Sequence, residues 1–195
     1  MALLARRSFL QQSRQARPVP PSCCSVAIYL RKLHLRTQLA TVRLYFDTKR
    51  TIASIDRNIF GSFLEHLGRA IYEGIYDPGS KLSDPINNGF RKDVMEEIHS
   101  LGVPMIRYPG GNFVSGYNWL DGVGPAQERP KVLDKAWNSL NANQFGTNEF
   151  LSWCKAVGTQ PLMAINLGTG SAEEAAPLVE YCNVEKGTRW SDLRR

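Results

Sequence analysis

Three apolar segments of strand length alternate with three segments that carry helix signals, and this order restricts the fold more than any other feature. The strand segments are residues 59–65, 105–108 and 161–167. Apolar strands that alternate with helices are typical of parallel βαβ units, which indicate an α/β fold. Three units do not close a sheet. The chain therefore forms either a small open three-stranded layer or the opening part of an eight-stranded barrel.

Helix signals follow each strand segment. The first helix is predicted over residues 88–100 and ends at Gly102, because apolar residues recur at spacings of four, four and three: Phe90, Val94, Ile98 and Leu101. The second is predicted to start with Thr147 as its N-cap and to stop at Gly158. Its inward stripe is formed by Phe150, Cys154 and Val157.

The third helix has two possible starts. Ser171 and Glu174 have the spacing of a capping box, which predicts a helix from that point. Pro177 lies six positions after the cap, where it removes a backbone hydrogen bond. The helix therefore either kinks at Pro177 or begins there.

Polar side chains lie where the first two strands end. Pro109 cannot continue a ladder, so the second strand stops at Tyr108. Alternation places Arg107 on one face of this strand and Tyr108 on the other. Long loops, residues 67–87 and 110–146, follow the two strands. The carboxyl ends of parallel strands meet at one edge, so Glu65, Arg107 and Asn112 are predicted to share a rim.

This rim has the side-chain chemistry of a sugar site. Glu65 can accept from two hydroxyls, Asn112 can donate and accept, and Arg107 can hold Glu65 ionised. Trp137 or Trp119 can provide an aromatic platform. Each residue also has a structural explanation: Arg107 as the anchor of a loop through backbone carbonyls, Asn112 as a turn former and Trp137 as core.

Charge is divided unevenly along the chain. Residues 1–46 hold eight of the 24 Lys and Arg and none of the 18 Asp and Glu, so the remainder is slightly acidic. A slightly acidic body does not attract nucleic acid, and we expect no nucleic-acid partner. No apolar run approaches the roughly 20 residues that a membrane span needs, so we expect a soluble protein without a membrane partner.

The first 56 residues divide into two segments. Residues 1–38 are rich in Arg, Ser, Gln and Pro, and are predicted to be a disordered basic leader. Their composition is that of a mitochondrial transit peptide, which is the alternative to a cytoplasmic location. Residues 39–56 are predicted to form a β-hairpin around a turn at residues 47–50. Residues 57–195 then form the α/β domain.

Cysteines and histidines give no indication of a metal site. The four cysteines, Cys23, Cys24, Cys154 and Cys182, have no regular spacing and no matching His cluster. They are better explained as reduced thiols than as a disulfide framework. We expect neither a metal nor a cofactor.

Three long motifs resemble one enzyme family. They are FLEHLGRAIYEGIYD from Phe63, MIRYPGGNFVSGYNW from Met105 and NLGTG from Asn166. In this order they are similar to the α-L-arabinofuranosidases of glycoside hydrolase family 51, and the likeness runs from about Thr41 to the last residue. It implies that the chain is the N-terminal part of such an enzyme, with three βα units of a (β/α)8 TIM barrel. The hairpin would join a C-terminal β-sandwich.

The resemblance also implies roles for the site residues. Glu65 and Asn112 match residues that bind the arabinofuranose, Arg107 matches the arginine that supports them, and Trp137 matches an active-site loop tryptophan. The implied reaction is retaining hydrolysis of terminal non-reducing α-L-arabinofuranosyl groups in carbohydrates such as arabinan and arabinoxylan. The implied assembly is a homo-oligomer.

The catalytic carboxylates that the family uses are not expected in this chain. A retaining pair lies about 5 Å apart, and in the family its members follow strands four and seven. Both positions lie beyond Arg195, so the 195 residues alone are predicted to be inactive. Glu149 follows the predicted cap of the second helix and is interpreted as a capping residue. Glu65 and Glu73 share one loop and are not the family's pair.

Two alternative functions remain. The glycine-rich segment 167–171 precedes a helix and could hold a phosphate on backbone N–H groups, although it lacks a P-loop lysine and a full GxGxxG. The second alternative is a catalytically inactive fragment with residual sugar binding.

Overall fold

The computed structural model describes residues 42–86 and 89–194. The chain divides into two units, Met1–Ser54 and Ile55–Arg195. The predicted leader, residues 1–38, lies outside the described residues.

The described part of the first unit contains the predicted turn but not the predicted hairpin. Arg50 N–H donates to the Asp47 carbonyl oxygen at 3.1 Å, as a turn requires. Residues 42–54 form no strand among the described residues. Leu44 is half exposed and Ile52 fully exposed, and a two-stranded hairpin without a covered face is marginal. Its pairing with a β-sandwich stays a prediction.

The second unit is built on a parallel sheet of three strands. They are β1 (Ser62–Phe63), β4 (Met105–Tyr108) and β7 (Gln160–Met163), in the order β1-β4-β7. The parallel arrangement of the three predicted strands is confirmed. Both outer strands are shorter than predicted, because a 3-10 turn at Arg57–Phe60 precedes β1 and β7 ends at Met163. The described residues form no closed barrel.

The described residues form three helices: α1 (Lys92–Leu101), α2 (Thr147–Val157) and α3 (Ala172–Asn183). Helix α2 packs against α1 and β7. Helix α1 begins later than predicted because β3 (Phe90–Arg91) pairs with β2 (Ser83–Asp84). The predicted ends at Gly102 and Gly158 are confirmed, and both glycines are left-handed. None of the helices in the described ranges is long and apolar enough to cross a membrane.

The structure shows where α2 and α3 begin. The N-cap of α2 is Gly146 and not Thr147. A Cβ on Gly146 would lie 2.1 Å from the Gly122 carbonyl oxygen, so only glycine fits this close approach. Helix α3 begins with the predicted capping box, in which Ser171 N–H donates to Glu174 Oε2 at 2.9 Å. Pro177 is therefore accommodated inside the helix.

The core lies between the sheet and the helices. Ile106 and Tyr108 of β4 are buried, while Met105 and Arg107 on the opposite face are only half buried, which confirms the predicted alternation. The inward positions predicted for α2 are also buried. Leu101 was expected in the core but is 46% exposed, because it lies in the last turn of α1 where the chain reverses at Gly102.

The long loop after β4 is ordered. It contains three 3-10 turns and a hairpin of β5 (Val132–Asp134) and β6 (Ser139–Asn141). Arg129 holds it together: the guanidinium donates to the Gly124 and Asn143 carbonyl oxygens at 2.7 to 2.9 Å and pairs with Glu149. The arginine side chain is 3% exposed.

Candidate functional site

Glu65 joins the ends of β1 and β4. Its Oε1 accepts a hydrogen bond from the Phe113 N–H at 2.9 Å. Gly110 lies against the same side chain, since a Cβ at Gly110 would come 2.3 Å from Glu65 Cγ, and its φ of +135° also favours glycine. The carboxylate is therefore fixed by backbone groups of the loop after β4.

Arg107 does not form the predicted ion pair with Glu65. Among the described residues the salt bridges within 4.0 Å do not include these two side chains. The guanidinium lies over the Phe63 ring, 5.1 Å from its centroid. The sheet register explains this, because it pairs Phe63 with Arg107, whereas Glu65 lies two residues further along and is level with Pro109.

Asn112 directly precedes Phe113, the residue whose amide binds the Glu65 carboxylate. It precedes the 3-10 turn Phe113–Gly116, whose first amide is the one that Glu65 binds. Asn112 is exposed, and its side chain does not cap this turn. The structural explanation of Asn112 as a turn former is nevertheless confirmed, because its carbonyl oxygen accepts from the Ser115 N–H at 3.2 Å.

Trp137 and Trp119 lie in different places. Trp137 is in the turn between β5 and β6 and is 36% exposed, so its interpretation as core is wrong. Neither a hydrogen bond nor a ring contact joins Trp137 to the other predicted site residues in the described part of the chain. Trp119 packs against Tyr181 and Trp190, with ring centroids 5.1 and 6.0 Å apart.

A histidine that the sequence interpretation missed, His66, lies beneath the loop after β4. His66 is 8% exposed and its Nε2 is 2.8 Å from the Tyr108 hydroxyl oxygen. Its ring stacks on Phe113 with centroids 4.4 Å apart. Burial lowers the pKa of His66 to about 3, so the ring is neutral at ordinary pH. Its position between apolar Leu64 and Leu67, directly after Glu65, was the signal that could have revealed it.

A cavity of about 440 Å³ lies beside these residues and includes Trp119, but not Glu65, Arg107, Asn112 or Trp137. It is lined by the ends of β4 and β7, by the loop after β4 and by α3, and contains Tyr117, Trp119, Asn166 and Trp190. The chemistry and the cavity therefore point to different places. We base the site on Glu65 and Asn112, because their polar groups converge on one loop and can bind hydroxyls.

Glu149 is a structural carboxylate. It accepts from Arg129 at 2.8 and 3.1 Å and from the Gly146 N–H at 2.8 Å. The prediction that Glu149 caps α2 is confirmed.

Most backbone donors of the glycine-rich segment before α3 are bound by side chains of the chain itself. Asn166 Oδ1 accepts from the N–H groups of Gly168, Thr169 and Gly170 at 3.0 to 3.3 Å. The Ser171 N–H is bound by Glu174, whose negative charge also repels a phosphate. These contacts do not support the phosphate-binding alternative for this segment.

The described residues lack a side-chain cluster suited to a metal ion. They contain no group of three or more His, Cys, Asp or Glu side chains that could hold a metal ion. Cys154 and Cys182 are free thiols, and burial raises the pKa of Cys154 to about 12.

Comparison with known proteins identifies the family. Residues 97–195, which include Arg107, Asn112 and Trp137, match the α-L-arabinofuranosidase 1 domain. The chain belongs to the α-L-arabinofuranosidases of glycoside hydrolase family 51. The resemblance of its motifs to this family is confirmed.

Arabinofuranosidases from bacteria and fungi are among the relatives. The chain is 57% identical over 153 residues to the intracellular exo-α-(1→5)-L-arabinofuranosidase 1 of Bacillus subtilis, covering 78% of this chain and 30% of that protein. It is 53% identical over 146 residues to the probable α-L-arabinofuranosidase C of Aspergillus niger, covering 75% and 28%. The chain thus spans about 30% of the length of these arabinofuranosidases.

Solved arabinofuranosidase structures have the same fold over the matched region. The family 51 enzyme of Thermotoga petrophila superposes with a TM-score of 0.71 at 50% identity, over 75% of this chain and 30% of that one. The arabinose complex of the Thermotoga maritima enzyme gives a TM-score of 0.68 at 51% identity, over 71% and 28%.

Proposed function

We propose that this chain supplies the substrate-binding part of a retaining α-L-arabinofuranosidase. The complete enzyme hydrolyses terminal non-reducing α-L-arabinofuranosyl residues of carbohydrates such as arabinan and arabinoxylan. The observation that carries the proposal is the contact of Glu65 with the Phe113 amide, which brings the first two loops of a family 51 chain to one rim. The three βα units are the first three of a (β/α)8 barrel, whose substrate site lies at the carboxyl ends of the strands.

Each proposed binding residue has a distinct role. Glu65 Oε1 is bound to the Phe113 N–H, which leaves Oε2 to accept from the sugar. Asn112 is exposed next to it and can donate and accept. Arg107 lies over the Phe63 ring and pairs with Phe63 in the sheet, two residues before Glu65. Its guanidinium adds positive charge on the same face. Trp137 is proposed as the platform of the loop, and its approach requires the β5–β6 turn to reach the rim.

The proposed mechanism uses two glutamates outside these 195 residues. Glu149 is paired with Arg129, and Glu73 forms an exposed ion pair with Arg69 at 2.7 Å. Glu65 is therefore the carboxylate available at the rim, and a retaining reaction requires a pair. Residues 1–195 alone bind the sugar without hydrolysing an aryl α-L-arabinofuranoside.

The proposed partner is an arabinofuranosyl-containing carbohydrate, and the proposed assembly of the longer enzyme is a homo-oligomer. A cytoplasmic location is proposed because the Bacillus subtilis relative is named intracellular. The mitochondrial alternative rests on residues 1–38 alone.

A chimeric enzyme tests this function. The 153 residues that match the Bacillus subtilis arabinofuranosidase are exchanged for those of this chain, and hydrolysis of an aryl α-L-arabinofuranoside is measured. An active chimera that loses about 100-fold in kcat/KM on Glu65→Gln supports the proposal, since a charged hydrogen bond is worth about 1.5 to 3 kcal/mol. A folded chimera without activity, or one indifferent to Glu65→Gln, contradicts it.

A further inference from the structure

His66 contacts both sides of the proposed sugar site without being part of it. It follows Glu65 directly in the chain, and its ring stacks on Phe113, which follows Asn112. The stack is close and nearly parallel, with centroids 4.4 Å apart and an interplanar angle of 20°. One buried side chain thus contacts the residue whose amide binds the Glu65 carboxylate.

Hydrogen bonding fixes the orientation of the His66 ring. The Tyr108 hydroxyl has one proton, and it donates to the Phe145 carbonyl oxygen at 3.2 Å. The Tyr108 oxygen therefore accepts from His66, whose Nε2 carries the proton in this assignment. Tyr108 is fully buried and stacks on Phe150 of α2, so the hydrogen bond anchors the imidazole to the core.

We propose that His66 is a positioning residue for the sugar site: anchored by Tyr108, it holds Phe113 so that the Phe113 N–H binds Glu65 and Asn112 faces the same sugar. Only the last part of this inference, that Asn112 faces the sugar, rests on the proposed function. The link from Tyr108 through His66 and Phe113 to Glu65 consists of contacts between protein groups, and it can be measured without a ligand.

Both properties of the imidazole are needed for this role. A phenylalanine keeps a flat ring against Phe113 but cannot donate to Tyr108. An asparagine keeps an N–H donor but loses the stacked ring. Each substitution therefore removes one of the two contacts, and the positioning role predicts that each loosens the Phe113 amide.

The test is a double-mutant cycle on the full 195-residue chain labelled with ¹⁵N-phenylalanine. The chain has eight phenylalanines, so the Phe113 signal can be assigned with Phe113→Leu. In the wild type, Glu65→Gln should shift the Phe113 amide proton and speed its hydrogen exchange by about tenfold. In His66→Phe and in His66→Asn the exchange is already fast, and adding Glu65→Gln has little further effect.

The Phe150 amide is the internal control, because it donates to the Gly146 carbonyl oxygen inside α2 and should be unchanged. If both His66 variants also lose Phe150 protection, Tyr108→Phe replaces them, since it keeps both rings and removes the hydroxyl that binds His66 and the Phe145 carbonyl oxygen. A loosened Phe113 amide in Tyr108→Phe then supports the role. The role is overturned if the Phe113 amide of Tyr108→Phe exchanges as slowly as in the wild type and Glu65→Gln still speeds that exchange.

A second measurement separates this inference from the proposed function. Saturation transfer from the chain to methyl α-L-arabinofuranoside should fall several-fold in His66→Phe while Phe150 protection is kept. If the wild type gives no saturation transfer, the proposed function fails. The positioning of Glu65 by His66 is then still decided by the Phe113 cycle.

Discussion

The Glu65 side chain rests directly on the Cα of Gly110. A Cβ there would lie 2.3 Å from Glu65 Cγ and 2.7 Å from Glu65 Cβ. Because the φ of Gly110 is +135°, an L-residue is strained at this position whatever space is available.

Gly110→Ala is therefore expected to displace the Glu65 carboxylate and to lower the free energy of unfolding by about 3 kcal/mol. Gly111→Ala is the matched control, since a Cβ at Gly111 would meet its neighbours at 3.5 Å or more. Urea unfolding of both variants provides the comparison. Equal losses of stability would show that the Glu65–Gly110 contact has no special role.

The ion pair between Arg129 and Glu149 is expected to be the strongest polar interaction of the loop after β4. Removing one member of a buried pair leaves the other charge uncompensated, so Arg129→Met should cost about 3 to 5 kcal/mol. Arg69→Met breaks an exposed pair with Glu73 and should cost less than about 0.5 kcal/mol. Thermal unfolding compares the two variants. Similar melting temperatures of Arg129→Met and Arg69→Met would contradict the claim that the Arg129–Glu149 pair is the stronger interaction.

His66 should make the stability of the chain depend on pH. Burial lowers the pKa of His66 from its ordinary 6.5 to about 3, so between these values the unfolded chain binds a proton that the folded chain does not. The free energy of unfolding therefore falls as the pH falls from about 6.5 towards 3, and is unaffected by this group above 6.5.

The size of this effect can be isolated with His66→Asn. Between pH 6.5 and 4.5 the wild type should lose about 2 to 3 kcal/mol more than the variant, because one pKa unit corresponds to about 1.4 kcal/mol. Urea titrations at the two pH values measure the difference. Parallel losses in the two proteins would indicate that His66 can be protonated in the folded state.

The main elements of the second unit could be predicted from the sequence because their signals are local. Alternation in β4 gave the buried face with Ile106 and Tyr108, and the capping box gave the start of α3. The N-cap of α2 was missed because it depends on a contact between Gly146 and Gly122, which are distant in sequence. The hairpin was overpredicted because a local pattern cannot show whether its apolar faces will be covered.

For the site, the sequence predicted the rim but not its contacts. Glu65 and Asn112 follow strand ends, which a reading of the chain can locate. The partner of Glu65 is the Phe113 amide and not Arg107, and this depends on the register of β1 against β4. Apolar patterns do not distinguish two strand registers that differ by two residues, because both registers keep the same side chains on the buried face. The role of His66 likewise depends on a neighbour, Tyr108, that lies 42 residues away.

The central claim is that Glu65 binds an arabinofuranosyl group, and saturation-transfer difference NMR with methyl α-L-arabinofuranoside tests it most directly. The full chain should transfer saturation to the sugar, and Glu65→Gln should abolish most of the signal while the fold is kept. Glu128→Gln, which changes an exposed carboxylate in a 3-10 turn of the loop, should leave the signal unchanged. Equal signals from the wild type and Glu65→Gln, or none from the folded wild type, would contradict the claim.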